Sequence, residues 1–149
     1  LRRVAGLCGV AVPAAVNRAD TSPAGRALLR LGPDEYLFLV EGDDHASLAA
    51  QLDAALTVEP ASLVDVSDRQ IGLRLDGEGA ALALNAGVPL DLDIEAFPIA
   101  MATRTLFEKA EIVLWRVGAD SFRIEVARSF APYLRALIDL ALRENAAAP

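Results

Sequence analysis

The stretch "LGPDEYLFLV" (Leu31–Val40) and the stretch "VGADSFRIEV" (Val117–Val126) share one pattern: apolar, Gly, any, Asp, any, aromatic, any, apolar, any, Val. At an offset of 86 the likeness extends without a gap from "ALLRLGPDEYLFLV" over "VLWRVGADSFRIEV" into "ASLAAQLDAAL" over "PYLRALIDLAL". About ten of thirty positions are identical, among them Arg30/Arg116, Gly32/Gly118, Asp34/Asp120 and Asp53/Asp139. Each copy reads as strand, tight turn, strand, helix. The glycine is expected to supply unusual backbone angles, and the aspartate two residues on to close the turn by local hydrogen bonding. Leu48, Leu52, Ala55 and Leu56 recur on one helical face, and Leu134, Ile138, Ala141 and Leu142 repeat it. Ser129 is the expected N-cap of the second helix and Pro132 suits its first turn.

A second echo lies upstream. "IGLRLDGEGAALALNAGVPLDL" predicts a strand over Ile71–Leu75, a break at Asp76–Gly77 with Asp76 as N-cap, a helix to about Ala86, and Gly87 as its C-cap. "VAGLCGVAVP" resembles the end of that unit at an offset of 78, with Gly9 on Gly87. Each half is thus strand, helix, Gly, loop, hairpin, helix. The expectation is that Val4–Cys8 form the last turn of a helix ending at Gly9, and that the natural polypeptide extends upstream of Leu1. Thr103, Thr105 and Phe107 alternate with Arg104 and Leu106 toward a turn at Glu108–Lys109, an added hairpin. Val64–Val66 are expected to begin a strand, and "NRADTSPAG" reads as a mobile loop. Segregated short strands and helices give an α+β class with antiparallel or mixed sheet, not a doubly wound one. The expected organisation is a first half over 1–56, a linker over 57–63, a second half over 64–142 and a disordered tail over 143–149.

The two copies differ where they should report their surroundings. Arg123 and Glu125 replace Leu37 and Leu39, so the second hairpin is expected to turn one face to water and the first to be the more buried. In the helices Ser47, Gln51 and Ala54 become Tyr133, Leu137 and Leu140. Their spacing puts these three on one stripe beside the core face, a candidate docking surface.

Hydrophobic residues make up 54 % of the 149-residue chain and charged ones 23 %, a folded composition with enough length for a sizeable core. The net charge of −7 offers no basic stripe for phosphates, so nucleic acid is not an expected partner. The single cysteine, Cys8, excludes a disulfide framework and reads as an inert core thiol in a reducing cytoplasm. No stretch approaches a membrane span, and the apolar run after Arg2–Arg3 is broken by Gly6, Gly9 and Pro13, against a signal peptide.

Motifs for chemistry are sparse. His45, the one histidine, stands just before a helix with no nucleophile tied to it by spacing. "DGEG" at Asp76–Gly79 lacks the third glycine of a dinucleotide fingerprint, and Glu78 repels phosphate. Asp91, Asp93 and Glu95 alternate but lack the glycine and distal glutamate of a calcium loop. The residues therefore name no catalytic, cofactor-binding or metal-ligating group, and point to a binding or structural unit.

"VDVSDRQIGLRLDGEGAALALNAGVPLDL" and "FPIAMATRTLFEKAEIVLWRVGADSFRIEVARSFAPYLRALIDLAL" resemble the gamma subunit of heterotetrameric sarcosine oxidase, and "LGPDEYLFL" belongs to the same pattern. The resemblance covers about Ala5–Leu142. It implies a complex that oxidatively demethylates sarcosine to glycine, forms hydrogen peroxide and can pass the one-carbon unit to tetrahydrofolate. It further implies alpha, beta and delta subunits as partners, with FAD, FMN and NAD in alpha and beta and zinc in delta, and none in this chain. The implied fold is that of the first domain of the glycine-cleavage aminomethyltransferase and related folate-binding proteins. Asp68 stands where the family often has His after "VDVS", and Asp68–Arg69 reads as a surface pair. The expected function is a non-catalytic accessory gamma subunit, with Tyr133, Leu137, Leu140, Asp68, Arg69, Asp91 and Asp93 as partner-interface candidates. The alternatives are a stand-alone folate-binding or aminomethyltransferase-like protein and a self-associating scaffold.

Overall fold

The computed structural model describes residues 2–42, 45–57 and 61–147. The chain divides into two compact units, Leu1–Val66 and Ser67–Pro149. The division falls just past the expected 57–63 linker, of which residues 58–60 lie outside the described set.

The first unit runs α1 (Arg2–Cys8), β1 (Arg18–Thr21), β2 (Ala27–Arg30), β3 (Tyr36–Leu39) and α2 (His45–Leu56). Its three strands pair antiparallel in the order β1-β2-β3. As expected, α1 ends at Gly9, whose φ of +66° is a conformation that costs a Cβ-bearing residue. Leu48, Leu52 and Leu56 of α2 meet Val4, Cys8, Val10 and Leu28 in one small core. "NRADT" is not a loop: Asn17 turns the chain at φ +60° and the rest is β1, its backbone paired with β2. The charged side chains of an edge strand hid it from a hydrophobic pattern.

The second unit runs β4 (Gln70–Asp76), α3 (Ala80–Asn85), β5 (Ala102–Phe107), β6 (Ala110–Gly118), β7 (Ser121–Ala127) and α4 (Ala131–Ala147). Its four strands are antiparallel in the order β4-β7-β6-β5, so neither sheet is mixed. Phe122, Ile124 and Val126 of β7 and Ile112 and Leu114 of β6 face Ala80 and Leu84 of α3 and Leu134 and Ile138 of α4. Burying each large side chain is worth roughly 1.5–3 kcal/mol, so this core outweighs that of the first unit. Glu108 turns the β5–β6 hairpin at φ +51° and donates its N–H to Gly87 O.

The repeat is exact in its pairing. Leu28 lies opposite Phe38 and Arg30 opposite Tyr36; 86 residues on, Leu114 lies opposite Ile124 and Arg116 opposite Phe122.

Several local expectations fail for identifiable reasons. Gly32 and Gly118 take no positive φ. In the first hairpin the N–H groups of Leu31 and Gly32 donate to Glu35 O, and in the second the ladder shifts register between Arg116 and Gly118. Gly87 takes no positive φ either: α3 continues right-handed through Ala86, at φ −63°. Gly87 is small because a Cβ there would lie 2.5 Å from the Phe107 ring. Asp76 does not cap α3, whose N-cap is Gly79; its carboxylate turns instead to Ser121 and Arg74. Val64–Val66 form no strand, and Val64 is exposed without a partner strand; β4 opens at Gln70, opposite Ala127. α4 opens at Ala131, with Phe130 O accepting the first helical bond, so Ser129 sits one residue too early to cap it. It runs to Ala147, through most of the segment expected to be a disordered tail, because Arg143, Glu144 and the alanines are good helix formers.

The largest reversal concerns the two hairpins. β3 is an edge strand whose residues are all half-buried, while β7 is an inner strand with Glu125 only 5 % exposed. β4 lies along β7, and no described strand lies along the outer side of β3. Position in the sheet, not side-chain polarity, sets which copy is covered.

Candidate functional site

Cys8 is fully buried beside the small core. Burial pushes its thiol up to about 11, against the milder pull of the Arg26 guanidinium, so at neutral pH it is a protonated, inert group. His45 opens α2, and its side chain lies outside the described residues. Ser121 Oγ donates to Asp76, and Arg74 Nε bonds both oxygens of the same carboxylate at 3.0 Å. Those hydrogen bonds hold the Asp76 carboxyl below its usual range. With Ser121 donating to a carboxylate at the surface, the trio ties the end of β4 to the start of β7. Among the described residues no three His, Cys, Asp or Glu side chains come together as a metal cluster. The "DGEG" loop is a turn: Gly77 N donates to Asp120 O, and Ala80 N to Gly77 O.

The interface candidates fall in three places. Tyr133 and Leu140 are exposed on α4, and Leu137 is half-buried against the core between them. Phe130 joins the stripe edge-on to Tyr133, ring centroids 6.3 Å apart. Positions 130, 133, 137 and 140 alternate three and four apart, the spacing of a seam between helices. Asp68 and Arg69 do not pair. Arg128 Nε donates to Asp68 O and its guanidinium lies 3.8 Å from the Asp68 carboxylate, because the N–H of Arg128 bonds Arg69 O and brings the two chains alongside. Asp91 and Asp93 are exposed in the loop after α3, where Asp91 Oδ1 accepts the Asp93 N–H and Asp93 Oδ1 the Glu95 N–H.

Two polar features were not legible in the residue pattern. The first is a half-sunken ion pair on the sheet face away from α3 and α4: Arg123 Nε lies 2.7 Å from Glu125 Oε1. Gly72 faces it from β4, and a Cβ there would lie 3.0 Å from that oxygen. The second is an arginine clamp present in both units. Arg30 donates to the carbonyls of Gly32, Pro13, Ala14 and Pro33 and stacks on Tyr36. Arg116 donates to those of Ala119, Leu92 and Phe97 and stacks on Phe122, its centre 4.7 Å from the ring. The identity of Arg30 and Arg116 in the repeat was the available signal. Each one pins the loop that leaves its first helix to its own hairpin.

Arg116 also lines an open groove of about 570 Å³ bounded by α3, the 91–94 loop and the β6–β7 turn. Leu82 and Ile94 are its exposed apolar walls, and Asp91, Asp93 and Asp120 stand around it.

Residues 3–144 match the model of the sarcosine oxidase, gamma subunit family. The chain belongs to this family. It is 37 % identical over 130 residues to the sarcosine oxidase subunit gamma of Corynebacterium sp. (strain U-96), covering 87 % of this chain and 62 % of that one. To the subunit gamma of Corynebacterium sp. (strain P-1) it is 37 % identical over 142 residues, 95 % of this chain and 68 % of the relative. The chain thus spans 62 % and 68 % of the length of these two curated relatives. Its structure superposes with a TM-score of 0.87 and 37 % identity on a chain of heterotetrameric sarcosine oxidase from Corynebacterium sp. U-96, solved with pyrrole 2-carboxylate, covering 98 % of this chain and 74 % of that one. That match carries the α+β class with two antiparallel sheets and four helices.

Proposed function

We propose that this chain serves as an accessory gamma subunit within a heterotetrameric sarcosine oxidase, where it contributes surfaces and not reacting groups. The observation that carries this reading is the close superposition of 98 % of the chain on a chain of such an oxidase. Its exposed α4 stripe supports it, because Tyr133 and Leu140 in water leave apolar area that a partner can cover. In this reading alpha, beta and delta subunits are the partners. FAD, FMN, NAD, zinc and the tetrahydrofolate site belong to them, and the assembly oxidises sarcosine to glycine in the cytoplasm. Tyr133, Leu137 and Leu140 form one contact, with Asp68, Arg69, Asp91 and Asp93 as polar contacts elsewhere. In this reading the scaffold is that of the aminomethyltransferase first domain.

The test is co-expression with the other three subunits from the source organism. The wild-type chain is expected to co-purify in equal stoichiometry, and a Tyr133→Ser, Leu140→Glu double variant to stay folded but fall out of the complex. Isolated chain that turns over sarcosine, or binds a reduced folate saturably without partners, overturns the reading in favour of a stand-alone folate protein. Isolated chain that runs as a homo-oligomer and ignores the other subunits favours a scaffold.

A further inference from the structure

The groove beside α3 carries residues that the equivalent positions of the first repeat do not. At an offset of 78, Asp91 and Asp93 correspond to Pro13 and Ala15, and exposed Leu82 to buried Val4. The first unit pins its loop with Arg30 and needs no carboxylate to do so. Nor does the loop of the second unit need the charges. Asp91 and Asp93 each use one oxygen to accept a backbone N–H, a task that the uncharged oxygen of Asn performs equally. Asp91, Asp93 and Asp120 have no ion-pair partner among the described residues.

Arg116 gives the groove a hydrogen-bond donor. It is 4 % exposed and has no carboxylate partner among the described residues. Its Nε and Nη1 donate to three carbonyls, while Nη2, with no acceptor among the described residues, is open to the groove. In the twin clamp the same nitrogen of Arg30 donates to Pro33 O at 3.0 Å. A ligand carbonyl in the groove can take the place of water as the acceptor for that N–H.

We propose that this groove docks an extended, basic and apolar segment of a partner subunit. An apolar side chain of the segment lies between Leu82 and Ile94. A lysine or arginine meets the rim of Asp91, Asp93 and Asp120, and a backbone carbonyl accepts from Arg116 Nη2. Charge complementarity selects this occupant: three unpaired carboxylates reject an acidic segment and leave a neutral one without their attraction. The proposal rests on the gamma-subunit reading for the source of the segment, not for the chemistry of the groove.

The full 149-residue chain is titrated with a fluorescein-labelled peptide of alternating leucine and lysine, and with its leucine–glutamate counterpart. Saturable binding of the lysine peptide is expected, at least tenfold tighter than the glutamate peptide and weakening as salt rises. An Asp91→Asn, Asp93→Asn, Asp120→Asn variant keeps the turns and is expected to lose at least tenfold. Leu82→Ser with Ile94→Ser is expected to lose a similar factor. A control variant, Asp53→Asn, Glu108→Gln, Glu144→Gln, makes the same change in net charge away from the groove and is expected to bind as wild type. Equal losses in both triple variants show attraction to net charge alone and overturn the proposal, as does equal binding of the two peptides. In the co-expression assay the Asp91/Asp93/Asp120 variant is expected at reduced stoichiometry. Wild-type chain that binds the peptide yet ignores the other subunits refutes the gamma-subunit reading and leaves the groove standing. Wild type that assembles while the variant assembles equally well refutes the groove.

Discussion

β3 and β7 hold equivalent positions in the repeat and different positions in their sheets. Their partners across the hairpin are equivalent residue for residue, yet β3 is an edge and β7 is flanked on both sides. The apolar sequence Tyr36–Leu39 sits at the half-exposed edge, and the charged pair Arg123–Glu125 sits inside. Side-chain polarity therefore does not report burial when a neighbour can supply the missing partner. Here the charge is accommodated because Glu125 has Arg123 at 2.7 Å and Gly72 opposite leaves room for both. A buried charge with a hydrogen-bonded counterion is tolerable where an isolated one is not.

The sharpest test of this contrast uses the paired aromatics. Phe122→Ala empties a fully buried site and is expected to cost about 3–5 kcal/mol. Tyr36→Ala, at the equivalent half-buried position, is expected to cost about 1–2 kcal/mol. Urea titration followed by circular dichroism measures both; equal losses would dissolve the distinction between inner and edge strand. Next in size is Glu125→Gln, which strands part of the Arg123 guanidinium and is expected to cost about 1–3 kcal/mol. Leu39→Gln on the edge is expected to stay within about 1 kcal/mol, by the same titration.

The two equivalent glycines give a comparable but smaller effect with opposite remedies. Gly87→Ala meets the Phe107 ring and is expected to cost about 1–3 kcal/mol, recovered in part by Phe107→Leu. Gly9→Ala is strained by its own backbone, at about 1–2 kcal/mol, and is relieved by Gly9→Asn and not by trimming a neighbour. Thermal melts of the single and double variants decide it; rescue of Gly9→Ala by repacking would show the backbone account to be wrong.

The smallest effects are in pH, and they separate the units. The folded pKa of Cys8 is raised from 9.0 to about 11, so the unfolded chain loses its proton first. Stability falls as pH rises through that window, and Cys8→Ala is expected to remove the fall. The folded pKa of Asp76 is lowered from 3.8, so its contribution is present above that value and is lost as pH falls through the folded pKa. Asp76→Asn is expected to flatten the acid limb alone. Melting temperature against pH for the two variants reads both ends.

The repeat, the α+β class, the core faces of α2 and α4 and the helical turn ending at Gly9 were legible because each is a local, periodic property. Hydrophobic spacing and a left-handed glycine are written in adjacent residues. The α4 stripe was legible for the same reason. The groove was only half legible. Asp91 and Asp93 stood out by alternation, but Asp120, Leu82 and Arg116 join them from elements far apart in the chain. What the sequence by itself determined is therefore the periodic frame: two hairpin–helix repeats, the helix faces that seek a core, and an acidic, cysteine-poor chain. Which strand lies at an edge, why Gly87 is a glycine, and which carboxylates share a groove were decided by the tertiary structure alone. Those properties depend on which backbone lies alongside and which ring lies opposite, and such neighbours are set by packing between residues that the chain itself keeps far apart.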